Sequence, residues 1–189
     1  DRGNRLNALS PETMRQLRAA ARSFEDDLST SVVVLTGRAD AFSAGFDLKD
    51  EEGRRRAALP LGERRRALRI GPDMCREWYE MSQVTIAAVE GHCIGGGVAL
   101  SVSLDFRFCG AGAHFRVPEV ELGMNMSWGS VPRILQLIGP ARTKQAVILA
   151  SERISSGEAY QWGLVEKVVS DGQVLTEAMA FAGRFAAMP

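Results

Sequence analysis

Charge bias is the first thing missing. Lys plus Arg and Asp plus Glu each number 23, so nothing in the overall charge points to nucleic acid or to an anionic membrane. Cysteine is scarce: Cys75, Cys93 and Cys109 form an odd, widely spaced set with neither metal-ligand nor redox spacing, which predicts no metal site and points to a reducing intracellular compartment. No apolar run approaches the ~20 residues of a membrane span, and no signal peptide is visible in a sequence that starts at Asp1 without a Met. The expected setting is cytoplasmic, or mitochondrial or peroxisomal in a eukaryote. No repeat of fixed period and no low-complexity tract divides the chain. At 189 residues, with 46% hydrophobic and 24% charged, it suits one domain spanning 1–189 and can bury a sizeable core.

What is present reads as alternating strands and helices, hence an α/β fold. Ser10-Pro11-Glu12 supplies a capping side chain, a proline at the first helical position and an acid, predicting a helix to about Asp26. "SVVVLTG" (31–37) and "TIAAVEG" (85–91) predict buried strands, and "FRFCG" (106–110) a third. Residues 50–70, with two Arg triplets around a Pro, predict a solvated, mobile helical segment; the sharper alternative is a cationic flap that meets ligand phosphates. A helix is expected from Val98 to about Ser103, another over Trp128 to Ile138 ending at Gly139-Pro140, and a further one over Ala141 to Ala150. Ser155 with Glu158 makes a capping box for a short helix ending near Gly163; "GLVEKVV" is then a strand and Gln173 to Ala187 a final helix.

The stretch "GHCIGGGVAL" (91–100) poses the functional question. It lacks the Lys-Ser/Thr of a phosphate loop, Leu100 stands where a dinucleotide fingerprint needs its third Gly, and Asp105 comes too early for the ribose acid. A tight turn with close helix–strand packing is the bland reading. The sharper one uses the unpaired N–H groups of a helix N-terminus as half of an oxyanion hole, with a second donor from elsewhere. "FSAGFDLK" (42–49), with Gly45 amid small residues and Asp47 able to cap the next segment, supplies the place for that second donor.

Together, Phe42-Ser43-Ala44-Gly45-Phe46-Asp47-Leu48-Lys49 and Gly91-His92-Cys93-Ile94-Gly95-Gly96-Gly97 resemble the crotonase, or enoyl-CoA hydratase/isomerase, superfamily. The likeness continues through "RLNALS" (5–10), "PEVELG" (118–123), "GPARTKQ" (139–145) and "ISSGEAYQWGLV" (154–165). Six motifs in order make it specific. It implies a crotonase-like spiral of ββα units, missing here its N-terminal strand and C-terminal helical part, and a homotrimer or dimer of trimers. It also implies an acyl-CoA thioester as substrate, with no cofactor beyond the CoA that the substrate carries. The backbone N–H groups of Phe46 and Gly96 would hold the thioester oxygen, and Ala44, Gly45, Asp47, Leu48, Lys49 and Gly95 would line the CoA thioester's path.

Two carboxylates serve hydration in this family. One maps to Glu119; the other maps to Ala99, which transfers no proton. An Asp used by other members maps to Ser127. A single base, Glu119, fits 3-enoyl to 2-enoyl-CoA isomerisation, in which one group carries a proton from C2 to C4. Hydration is the alternative, with Ser127 or Asn125 orienting water; a non-catalytic acyl-CoA-binding protein is the third reading. Glu121 would face with Glu119 on a regular strand and is a second candidate acid. Ala99, Ser127 and Trp128 are expected in the pocket wall. His92 and His114 are expected to be structural.

Overall fold

The structure is a computed structural model that describes Gly3 and residues 6–150 and 153–188; Arg5 of the "RLNALS" motif lies outside the described residues. Helix α1 (Pro11–Arg22) begins as its sequence dictates, with Ser10 Oγ accepting from Thr13 N, but stops four residues short of the expected Asp26 in a series of turns. Strands β1 (Val32–Thr36) and β2 (Ala41–Ser43) follow, then α2 (Glu51–Arg55), a 3₁₀ turn over Arg56–Ala58, α3 (Leu61–Leu68) and α4 (Ile70–Tyr79). Next come β3 (Val84–Val89), β4 (His92–Ile94), α5 (Gly96–Ser101), β5 (Phe106–Gly110) and β6 (His114–Arg116). The chain closes with α6 (Ser130–Ile148), β7 (Ile154–Ser155), α7 (Ser156–Trp162), β8 (Lys167–Val169) and α8 (Val174–Ala186).

Successive strands divide between two four-stranded sheets, β1-β3-β5-β8 and β2-β4-β6-β7. Pairing is parallel throughout the first and from β2 to β6 in the second, where β7 runs antiparallel to β6. Each strand pair before a helix thus places one strand in each sheet, the ββα repeat that the family resemblance implied. The first sheet shows why "TIAAV" is an unbroken apolar run. Ile86 and Ala88 of β3 pack with Val174, Ala178 and Ala182 of α8, whereas Ala87 and Val89 face the central core with Met14, Met74 and Phe115. Both faces are covered, so alternation disappears. Strand β1 differs from expectation: it is an edge strand and only half-buried.

Other departures come from packing. The kink at Gly139, φ 70°, joins the two expected helices into α6, which starts at Ser130 rather than Trp128. The capping box of Ser155 and Glu158 forms, and Gly163 closes α7 in the left-handed conformation. β8 begins at Lys167, later than the expected start at Gly163; just ahead of it, buried Arg107 donates from Nε to the Leu164 carbonyl and from its guanidinium to the Glu166 carboxylate. His92 and His114, on neighbouring strands of the second sheet, hydrogen-bond ring to ring at 2.9 Å. All three cysteines are free and buried, and burial pushes each thiol up to about 12. Among the described residues no helix is long and apolar enough to cross a membrane.

Candidate active site

The two glycine segments meet. The backbone at Gly45 (φ +82°) is pressed so closely on the β4–α5 turn that a methyl group there would stand 2.6 Å from the Ile94 carbonyl oxygen and 2.9 Å from Gly96 N. Only glycine takes up both that conformation and that contact without strain. A methyl on Gly96 would in turn lie 3.4 Å from Phe46 N, so the Phe46 and Gly96 nitrogens are neighbours.

Hydrogen bonding leaves both donors open. Leu9 N donates to the Gly45 carbonyl at 2.7 Å and Asp47 N donates to the Leu9 carbonyl at 3.0 Å. This parallel bridge, centred on Phe46, turns the Phe46 N–H away from Leu9. Gly96 is the first residue of α5, two residues earlier than the expected start at Val98, and its N–H has no intrahelical acceptor. Neither N–H donates to an acceptor among the described residues. Two adjacent free donors can share one ligand oxygen, the arrangement that stabilises a developing oxyanion.

Glu119 stands beside them. Its motif "PEVELG" forms consecutive turns rather than a strand, with Glu121 N bonded to the Pro118 carbonyl and Leu122 N and Met124 N both bonded to that of Glu119. A methyl on Gly95 (φ +53°) would come within 2.8 Å of Glu119 Oε1. Oε2 is buried and has no hydrogen-bond partner among the described residues. Burial pushes the carboxyl above its usual range, opposed by a single backbone hydrogen bond. A carboxylate so placed is held ready to take up a proton. The turn also separates the two acids that a strand would have aligned: Glu121 pairs outside with Arg116 and does not line the cavity.

These groups line a cavity of about 630 Å³, within the range of small-molecule sites. Ala44, Gly45, Phe46, Leu48, Gly95, Gly96, Ala99, Glu119, Ser127 and Trp128 all contribute to its wall. Asp47 and Lys49 do not: Asp47 Oδ1 accepts from Lys49 N in a local turn, and Asp50, not Asp47, caps α2. The Trp128 indole is seated between Gly71 of α4 and Gly96 of α5, each too close to it to carry a side chain. Arg56 is a wall residue that the sequence does not announce. The pattern of 50–70 predicts a solvated segment, and its Arg54, Arg55, Arg64 and Arg65 are indeed exposed, yet Arg56 is 6% exposed and lines the cavity. Its place, capping the C-terminus of α2 and opening the 3₁₀ turn, carries no sequence signal that marks it out from its neighbours. No group of three or more His, Cys, Asp or Glu side chains among the described residues is placed to hold a metal ion.

The family model described as Enoyl-CoA hydratase/isomerase matches residues 1–189. Crotonyl-CoA hydratase from Syntrophomonas wolfei is 33% identical over 185 residues, covering 97% of this chain and 69% of its own. A probable mitochondrial enoyl-CoA hydratase from Dictyostelium discoideum is 31% identical over 189 residues, covering 98% and 64%. The crystal structure of enoyl-CoA hydratase from Bacillus anthracis superimposes with a TM-score of 0.90 at 31% identity, over 100% of this chain and 71% of that one. The chain thus spans about two thirds of the length of these proteins.

Proposed function

The chain belongs to the enoyl-CoA hydratase/isomerase family, and from that premise we propose that the cavity takes an acyl-CoA thioester and interconverts its 3-enoyl and 2-enoyl forms with Glu119 as the single base. In this reading the Phe46 and Gly96 N–H groups grip the thioester oxygen. Glu119 removes a proton from C2 of the 3-enoyl substrate, the electron pair delocalises into the dienolate, and the same carboxyl returns the proton to C4. Negative charge gathers on the held oxygen, where two fixed donors stabilise it, and each such donor is typically worth about 3 kcal/mol. The raised Glu119 pKa suits a group that must hold the proton between the two transfers. The proposed chemistry runs on a backbone pair and one carboxylate and calls on no metal or redox cofactor.

One observation carries the choice of isomerisation. Among the described residues Glu119 is the sole carboxylate lining the cavity, and Ala99 occupies the wall where a hydratase of this family has its second. Hydration is the second reading, favoured by the names of the relatives above. There Glu119 would both activate the water and return a proton to C2, with Asn125 and Ser127 in the wall to orient the water.

A spectrophotometric panel decides between them: 3-enoyl-CoA, 2-enoyl-CoA and 3-hydroxyacyl-CoA thioesters of matched length, each with purified full-length protein. Isomerisation is expected to be the fastest reaction. Crotonyl-CoA hydration as the best reaction would overturn the single-base assignment and leave the second reading standing.

A further inference from the structure

The cavity wall holds a second ionisable side chain that the proposed proton transfer does not use. Arg56 lies beside Met14, Leu48, Leu68 and Ile70, with its guanidinium carbon 5.7 Å from the centroid of the Phe46 ring. Its Nε is buried and finds no acceptor among the described residues. Glu52 Oε1 is the carboxylate oxygen paired with it, and at 3.6 Å from the guanidinium it stands beyond hydrogen-bond length. Glu52 is moreover already engaged, since Arg15 donates to both of its oxygens at 3.1 and 2.9 Å. Nor does Glu119 serve: no ion pair joins it to Arg56 among the described residues, and its carboxyl is raised by burial without any contribution from this cation.

A guanidinium removed from water with part of its donor set unused is costly unless something completes it. The surroundings favour an anion. On its outer side Arg56 also borders a hollow lined by Arg15, Arg18, Arg66 and Arg69 against Glu52 and Asp73, an excess of positive charge that raises the potential on this side of the cavity.

We propose that Arg56 is a specificity-determining residue that binds a carboxylate at the far end of the acyl chain, so that the preferred substrates are CoA monothioesters of short unsaturated dicarboxylic acids. The proposal rests on the acyl-CoA reading of the same cavity. A carboxylate fits better than a CoA phosphate, because on its cavity side Arg56 is set among apolar side chains, Met14, Leu48, Leu68 and Ile70. A phosphate, strongly hydrated, is better met by the exposed Arg54, Arg55, Arg64 and Arg65. The planar guanidinium offers a carboxylate two parallel donors, which a lysine ammonium does not.

The test compares 2-hexenedioyl-CoA with 2-hexenoyl-CoA, equal in carbon number and differing in a terminal carboxylate or methyl. It uses full-length wild type, Arg56→Met and Arg56→Lys, with kcat/KM as readout. Wild type is expected to favour the carboxylate-ended thioester by roughly 10- to 100-fold, the value of a hydrogen-bonded charge pair. Arg56→Met should bring that ratio to one or below, and Arg56→Lys should retain part of it. Because the ratio is taken within one preparation, a partly unfolded variant does not distort it, and the wild-type ratio stands even if a variant fails to fold.

A wild-type ratio of one or less overturns the proposal, as does a ratio that Arg56→Met leaves intact. A parallel series with dephospho-CoA thioesters separates the two sources of anion. If Arg56→Met lowers both acyl types alike and abolishes the dependence on the 3′-phosphate, Arg56 reads the CoA and the proposal fails. Turnover of methyl-ended thioesters without any carboxylate preference sinks only this inference, whereas no binding of any CoA thioester sinks the acyl-CoA reading with it.

Discussion

Replacing Glu119 by Gln should move activity and stability in opposite directions. The substitution keeps the size of the side chain and removes its charge. Turnover should fall by about 10²–10⁴-fold, the usual contribution of a positioned general base, while thioester binding survives because Phe46 N and Gly96 N are untouched. Stability depends on the environment of the carboxyl. Burial raises its pKa above the ordinary 4.5. Between that value and the raised one the native state holds a proton that the unfolded chain has released. The favourable contribution of the neutral acid is therefore present at low pH and lost as pH rises through the raised value. Above that point wild type holds an ionised carboxylate whose Oε2 is buried without a donor. Such a group costs about 1–3 kcal/mol, and partial exposure places Glu119 at the lower end. For 189 residues, ~1 kcal/mol corresponds to roughly 3 °C in Tm. Scanning calorimetry from pH 4 to pH 8 should thus show the variant drawing ahead of wild type as pH rises, with little difference at the acid end. A variant that melts below wild type at pH 8, or that keeps its turnover with every thioester in the panel, would refute the reasoning about this carboxyl.

Two further substitutions address the rest of the site. Gly96→Pro removes one of the two free N–H donors and should lower turnover by ~10²–10³-fold, counted only if circular dichroism shows the fold intact; unchanged kinetics would place the ligand oxygen elsewhere. Ala99→Glu adds a second carboxylate to the wall and should raise crotonyl-CoA hydration relative to isomerisation, since two neighbouring acids push one pKa upward into the range of a proton donor; a hydration rate that stays flat in a folded variant would show that the second acid is not what hydration lacks here.

Much of this site is legible in the sequence because its chemistry is carried by residues with few alternatives. Gly45 and Gly95 are fixed by positive φ and by close contacts that leave no room for a methyl, and glycine clusters stand out in a sequence. The first sheet is legible for a related reason: β3 is buried on both faces and reads as a solid apolar run. The second sheet is not. Its strands β4, β6 and β7 are only two or three residues long, too short for any period to show, and they are held by pairing with distant segments rather than by local preference. Glu121 is misplaced by any reading that carries strand alternation across "PEVELG", where Pro118 instead opens a series of turns. Arg56 is hidden by its company: it is one of six arginines in two triplets, and only the burial of its side chain in the cavity wall distinguishes it.

The seating of Trp128 against Gly71 and Gly96 has a mechanical consequence. The indole is a spacer that sets the separation of α4 from α5, and α5 carries one of the two donor nitrogens. A bulkier residue at 71 would lever the ring toward Gly96 and shift the donor itself. A position with no chemistry of its own, on a helix remote in sequence from the glycine run, is thus coupled to the alignment of the oxygen-binding pair through one rigid aromatic plane.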